Sequence, residues 1–264
     1  MSYSFYDWNN ALQQRNEYVE DRLKDGSPVI GISYSEGILL LTLRGAQRKI
    51  FEIYDRLMLG ALGKQSDLES LRLAAIDTAH KEGFERSPDD VSIQRLVGFS
   101  LSPAVKRVYN DQNAIPLTLR AIFAELGKTP EDDHFFTLGY DGEFKKQNRG
   151  AVAGGTVFAE EQAEEVLQQG DTPQSLTDAL TAALKAWGIA RSQLAPQRER
   201  DQDEFDPLSD DEPKTADDPM VAVREALKNG LELEAAILNR TTQRESKFRL
   251  LKEEEYRALI ADLR

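Results

Sequence analysis

The chain has 264 residues, of which 40% are hydrophobic and 30% are charged, which is typical of a globular protein with one large core. It has no cysteine and two histidines, which excludes disulfides and thiolate chemistry and argues against a multi-histidine metal centre. The net charge of −13 argues against nucleic acid as a partner, because nucleic acid requires a basic surface. Without a long apolar run or a signal-peptide pattern, we expect a cytoplasmic protein with no membrane contact and no cofactor.

A helix is the first predicted element, over residues 9–24. Apolar side chains recur there at helical spacing, and the pair Asp25-Gly26 ends the pattern. Little else in the chain would cover this stripe, so we expect neighbouring copies to bury it in a ring. The stripe consists of Leu12, Tyr18, Val19 and Leu23.

Blocks of strands and pairs of helices follow the first helix. The predicted strands cover residues 28–34, 37–43, 49–54, 57–62, 117–126, 135–140, 144–154, 231–238 and 248–251. The predicted helices cover residues 66–81, 89–110, 159–168, 173–187 and 253–263. Because helix pairs separate the strand blocks, we predict an α+β fold: a four-layer α-β-β-α sandwich with the first helix at one end.

An acidic segment interrupts this order near the C-terminus. Residues 199–218 contain ten acidic side chains against one arginine and one lysine, a composition that cannot bury a core and predicts a disordered, dispensable loop. The predicted organisation is a single domain with a tail of residues 1–8, the helix of 9–25, a sandwich of 26–190 and 220–264, and the acidic loop of 191–219.

The order and the amino-acid sequences of these segments resemble those of proteasome subunits, within the N-terminal-nucleophile hydrolase superfamily. GSPVIGISYSEGILLL and RKIFEIYDRLMLGALGK resemble the first two hairpins of these subunits. DLESLRLAAIDTAHKEGF resembles their first large helix in its actinobacterial α form, and FFTLGYDGEF, AVAGGT and LTDALTAALKAW follow in the family's order. The resemblance spans nearly the whole chain outside the acidic loop and implies the same sandwich fold.

Three positions distinguish catalytic from non-catalytic subunits in this family. Active β subunits begin with a threonine nucleophile whose own amine is the base. In this chain the matching positions hold Ser27 for the threonine, Leu43 for the catalytic aspartate and Lys49 for the lysine. The resemblance therefore implies a non-catalytic α subunit of a bacterial 20S core particle. The alternatives are a self-processing hydrolase that uses Ser27 after cleavage at Gly26, and a homologue that forms its own ring.

The resemblance also implies partners and a docking site. Family α subunits form rings that stack on β-subunit rings and receive a ring-shaped ATPase activator, and the resemblance implies seven copies in the ring. Lys49 falls where the family pairs a lysine with the activator's C-terminal carboxylate, although a strand-edge lysine with a solvated head would give the same sequence. Gly63 matches a glycine on the pocket wall, and a turn that needs positive φ explains it equally well.

A gate is the last implied feature. Tyr18 falls at a family tyrosine that helps to hold an open gate, or it is a packing residue. Residues 1–8 would plug the pore through aromatic contacts, or they are a frayed terminus. These tail residues are Ser2, Tyr3, Ser4, Phe5, Tyr6, Asp7 and Trp8. His80 and His134 are expected at the surface, and Asp132-Asp133-His134 is too short a cluster to predict a metal site.

Overall fold

The computed structural model describes residues 5–192, 218–261 and 263. Ser2, Tyr3 and Ser4 of the predicted gate and residues 193–217 of the predicted acidic loop lie outside the described residues.

Two five-stranded antiparallel sheets form the centre of the described structure. In chain order the strands are β1 Val29–Tyr34, β2 Gly37–Arg44, β3 Ile50–Tyr54, β4 Leu57–Gly63, β5 Leu119–Glu125, β6 His134–Gly139, β7 Phe144–Gln147, β8 Gly150–Ala153, β9 Glu232–Asn239 and β10 Phe248–Leu250. One sheet has the order β10-β9-β2-β1-β8 and the other has the order β3-β4-β5-β6-β7. The register aligns Val29 with Thr42 in the first hairpin and Ile50 with Gly60 in the second.

Helices cover both outer faces of the sheet pair. They are α1 Phe5–Leu23, α2 Gln65–Glu85, α3 Ile93–Arg95, α4 Ser102–Asn110, α5 Val157–Gln169, α6 Leu176–Ser192, α7 Pro219–Lys228 and α8 Glu253–Ala261. Clusters of buried side chains join α5 to α8 to the first sheet, α2 to α4 to the second, and the two sheets to each other. The predicted α+β sandwich is confirmed.

The central strand β2 shows why both faces of a sheet are apolar here. Leu39, Leu41 and Leu43 pack under the helices, whereas Ile38 and Leu40 face the opposite sheet. Successive side chains of a strand point to opposite faces, so a strand between two packed layers needs a continuous apolar run. The sequence GILLLTL provides that run.

The structure differs from the prediction in three places, each for a local reason. The predicted strand 144–154 is two strands in different sheets, because the chain crosses between sheets around Arg149, whose φ is 67°. The predicted helix 89–110 contains a π-helical segment, Leu96–Leu101, immediately before the turn in which Pro103 lacks a backbone N–H. Helix α7 was not predicted; Asp218 caps it by accepting a hydrogen bond from Met220 N at 2.9 Å.

Candidate functional site

Ser27 lies where elements from both sheets and two helices meet. It follows α1 and precedes β1, and its hydroxyl donates a hydrogen bond to the carbonyl oxygen of Leu43 in β2. Trp187 of α6 donates from Nε1 to the same hydroxyl at 3.2 Å. Lys49, just before β3, donates from Nζ to the carbonyl oxygen of Ser27 at 2.8 Å. The structure therefore brings together the three positions that the sequence singled out as the family's catalytic positions.

The arrangement around Ser27 does not support nucleophilic catalysis. An N-terminal nucleophile needs a free amine as its base. In this chain the backbone before Ser27 is held to the end of α1 by a hydrogen bond from Gly26 N to Leu23 O at 2.8 Å. The Ser27 hydroxyl is already paired with Leu43 O, and the Leu43 side chain is fully buried under the helices. An apolar side chain cannot orient a base or stabilise a charge, so the serine is a structural residue here.

Lys49 is half-buried, and its Nζ is engaged by the Ser27 carbonyl oxygen, which favours the pocket over a strand-edge lysine with a solvated head. Burial lowers the pKa of Lys49 to about 8, with the Glu234 carboxylate opposing that shift and Arg191 adding to it. Glu234 accepts from the backbone N–H of Lys49 at 2.9 Å and of Ile50 at 3.3 Å. Among the residues that the structure describes, no carboxylate forms an ion pair with the Lys49 ammonium.

Gly63 ends β4 at the same end of the hairpin as Lys49. Ala61, two residues earlier, donates its N–H to Lys49 O at 3.0 Å, which fixes this proximity. The φ of Gly63 is 137°, and a Cβ there would collide with the carbonyl oxygen of Thr118. The backbone alone thus requires glycine, and the residue is also exposed, as a pocket wall would be.

Helix α1 differs from the predicted element in two respects. It begins at Phe5, so Phe5, Tyr6, Asp7 and Trp8 belong to the helix and not to an extended tail. The predicted ring-contact stripe is also only partly available. Val19 and Leu23 are fully buried in the core between the sheets, because the C-terminal half of α1 packs onto the sandwich of its own chain.

The other two stripe residues remain accessible. Leu12 is half-buried, and Tyr18 is 39% exposed, with the Arg22 guanidinium 4.0 Å above its ring. Tyr18 is therefore not a core residue of the chain. The expectation that neighbouring copies bury the stripe is wrong for Val19 and Leu23 and still open for Leu12 and Tyr18.

Sequence reasoning missed several residues that complete this region. Glu234 and Trp187 lie 185 and 160 residues from their partners Lys49 and Ser27. No local pattern marks either residue, because only the pairing of β2 with β9 and the packing of α6 bring them into place. A long-range hydrogen bond of this kind leaves no periodic signal in the sequence.

The remaining polar candidates are structural. Asp133 is fully buried, where Arg240 forms two hydrogen bonds with its carboxylate at 2.8 and 3.1 Å and Ser33 forms a third at 2.5 Å. His80 is an exposed helix residue that stacks edge-on against Tyr54, and His134 lies beside the backbone carbonyl of Asp133. The described part of the chain has no cluster of side chains able to hold a metal, and none of its helices could cross a bilayer.

Comparison with known proteins decides the family. No protein-family model matches the chain. A proteasome subunit alpha of Actinosynnema mirum is 31% identical over 177 residues, which cover 66% of this chain and 66% of that protein. The chain belongs to the proteasome α-subunit family. Two further proteasome α subunits agree with this: that of Streptomyces scabiei is 28% identical, and that of Xylanimonas cellulosilytica is 29% identical.

The aligned regions extend over most of the proteasome α-subunit sequence. They cover 75% of this chain and 79% of the Streptomyces protein, and 72% of this chain and 78% of the Xylanimonas protein. For the Actinosynnema protein the aligned share is about two thirds of its length. The resemblance drawn from the hairpin and helix segments is confirmed, in its actinobacterial form.

Proposed function

We propose that this chain is a non-catalytic α subunit that forms the outer wall of a bacterial proteasome core particle. The observation that carries the proposal is the closed site at Ser27. Its hydroxyl is bonded to Leu43 O, and the fully buried Leu43 stands where an acid would be needed. Peptide hydrolysis is then the task of threonine nucleophiles on separate β subunits.

The outer helix layer supports assembly with other subunits. Phe84 in α2 is 93% exposed, and Phe99 in the π-helical segment is 78% exposed. Large aromatic side chains at such exposure are costly in water and common at protein interfaces. We propose that this layer packs on a β subunit, and that neighbouring α subunits, about seven in a ring, meet beside α1 through Leu12 and Tyr18.

The unpaired ammonium of Lys49 supports a role in activator docking. A buried charge without an ion pair is unfavourable, and a partner's carboxylate would relieve that cost. We propose that the C-terminal carboxylate of an ATPase activator binds Lys49 next to the backbone of Gly63. In this proposal residues 1–8 and Tyr18 form the gate. Binding of the activator opens it by favouring one arrangement of α1.

The test of the main proposal uses the chain with and without its β subunit. We expect the chain alone to keep its N-terminus by intact mass and to hydrolyse no fluorogenic peptide. We expect activity with the β subunit that is unchanged in Ser27→Ala. Hydrolysis by the chain alone that disappears in Ser27→Ala would instead establish the self-processing alternative. Rings in negative stain that never incorporate a β subunit would establish the stand-alone homologue.

The gate is tested by two deletions, because α1 begins at Phe5. Removing residues 1–4 leaves the helix whole, whereas removing residues 1–8 also shortens it. We expect faster peptide entry into the complete particle from both deletions. Activation by a peptide that ends in a free carboxylate should be lost in Lys49→Ala, with an amidated peptide as the control. Equal basal rates in wild type and both deletions would contradict the proposal that residues 1–8 form a gate. Full activation of Lys49→Ala would contradict the proposal that Lys49 binds the activator.

A further inference from the structure

Arg120 connects helix α1 to three other parts of the chain. Its side chain is 7% exposed and lies on β5. Its Nη2 contacts the Glu20 carboxylate of α1 at 2.6 Å, and its Nη1 donates to Gly154 O, after β8, at 3.1 Å. Its Nε lies 3.8 Å from the Glu160 carboxylate of α5. One buried guanidinium therefore serves two carboxylates from different helices.

The two carboxylates also have neutral partners. Tyr140 donates its hydroxyl to Glu20 at 2.8 Å, and Gly154 donates its N–H to Glu160 at 2.8 Å. With both glutamates ionised, the cluster carries one negative charge in excess of Arg120. Glu20 and Glu160 then repel each other across the guanidinium that they share.

The surroundings of Glu160 add to this negative charge. Glu160 lines a cleft of about 210 Å³ between α1, α5 and the β6–β7 hairpin. Glu161 and Glu164 face the cleft from α5, and the hairpin contributes Asp141, Glu143 and Lys145, so Arg120 and Lys145 are the cationic side chains in its lining. Glu164 accepts from Gln147 at 2.6 Å and from Val152 N at 3.3 Å, and neither of these bonds involves Arg120.

We propose that protonation of Glu160 controls how tightly helix α1 docks onto the sandwich. When Glu160 is neutral, Arg120 is available to Glu20 alone and the repulsion between the glutamates is gone. When Glu160 is ionised, Arg120 is shared and the repulsion acts directly on the last turns of α1. This inference concerns the isolated fold and does not require the ring, although α1 carries the residues assigned above to the gate.

The titration of Glu160 supports the direction of the effect. Burial raises its pKa to about 7, with Arg120 and the Gly154 N–H opposing the shift and the charges of Glu164 and Glu20 adding to it. Undocking α1 would remove Glu20 and admit water to the cleft, so the pKa of Glu160 would fall towards its ordinary range. The docked state thus binds the proton more tightly, and docking strengthens as pH falls through about 7.

Two further residues of α1 make contacts that involve no carboxylate, and these contacts serve as fixed anchors of the helix. Arg15 donates to Ala114 O at 2.9 Å and to Val108 O at 3.2 Å, and Tyr109 donates to Asn16 at 2.5 Å. These contacts hold the middle of the helix, whereas Glu20 lies in the C-terminal part. The pH effect is therefore expected to be largest over the last turns of α1.

The test is amide hydrogen exchange of the full chain between pH 6 and pH 8, corrected for intrinsic exchange rates. Light scattering checks that the oligomeric state is the same at both values, and the buried amides of α6 serve as the internal reference. We expect protection of α1 relative to α6 to fall with rising pH, by up to about tenfold between pH 6 and pH 8, because one group with a pKa of about 7 titrates in this range.

Two matched variants on the same helix complete the test. Glu160→Gln should flatten the pH profile at the protected level. Glu164→Gln removes one of the charges that raise the pKa of Glu160, so it should move the profile to lower pH without abolishing it. A flat wild-type profile would overturn the proposal, whatever the variants do. Equal loss of pH dependence in Glu164→Gln would also overturn it, because the general acidity of the cleft would then explain the effect.

Discussion

Replacing the half-buried Lys49 by methionine should change how the stability of the fold depends on pH. Burial lowers the pKa of Lys49 from 10.5 to about 8, which corresponds to about 3 kcal/mol of unfavourable free energy for the charged form in the folded state. At neutral pH the wild-type chain carries that cost. Methionine has a similar length and no charge, so Lys49→Met removes it.

The sign and the window follow from the pKa itself. Because the folded-state pKa is depressed, the unfolded chain binds more protons between about pH 8 and 10.5. Stability therefore rises with pH in this range. Between pH 7 and pH 9.5 the gain from Lys49 amounts to about 2 kcal/mol, and the variant lacks it. Loss of the hydrogen bond to Ser27 O, worth about 1 kcal/mol, lowers the stability of the variant by a similar amount at every pH.

The assay is reversible urea unfolding of wild type, Lys49→Met and Lys185→Met at pH 7, 8, 9 and 9.5. Lys185 is an exposed lysine on α6 and controls for the loss of a charge. We expect Lys49→Met to be more stable than wild type at pH 7 by about 2 kcal/mol. This is the cost of the charged ammonium, about 3 kcal/mol, less the lost hydrogen bond, about 1 kcal/mol. The variant should lose this advantage by pH 9.5. Parallel curves for wild type and Lys49→Met would refute the assignment of a desolvated ammonium at this position.

Three further changes follow from the structure. Gly63→Ala should destabilise the fold by about 1–3 kcal/mol in thermal unfolding, since the φ of Gly63 is positive and the new Cβ would meet Thr118 O. The control is Gly45→Ala, whose Cβ would meet no neighbour and which should be nearly neutral. Asp133→Ala should cost about 3–5 kcal/mol, because it strands the mostly buried Arg240; a loss below 1 kcal/mol would contradict this. Phe99→Ser should leave monomer stability within about 0.5 kcal/mol and weaken assembly in sedimentation velocity; unchanged assembly would exclude this face.

The sequence predicted the sandwich well because its strands and large helices carry strong local patterns. The run GILLLTL requires two packed faces, and helix α2 repeats Leu68, Leu71, Ala75 and Ala79 at helical spacing. It failed at 144–154, where one apolar stretch supplies strands to two sheets. Only the positive φ of Arg149 marks that crossing, and an arginine gives no warning of it.

The same contrast applies to the site. Ser27, Leu43 and Lys49 could be identified because each occupies a fixed place beside a recognisable strand, and their residue types already argue against catalysis. Their chemistry could not be predicted, since the pKa of Lys49 depends on burial and on the charges of distant residues such as Glu234 and Arg191. The carboxylate pair on Arg120 is likewise invisible, because Glu20 and Glu160 are 140 residues apart in the numbered chain.

By itself, the sequence determined most of the order of elements, the family and the absence of an acid beside Ser27, because residue type and periodicity are local properties. Tertiary structure alone decided what covers the apolar stripe of α1. Val19 and Leu23 look available for a neighbouring subunit in the sequence, yet they are buried between the sheets of their own chain. An apolar face shows that a helix must be covered, and only the packing of the whole chain shows which surface covers it.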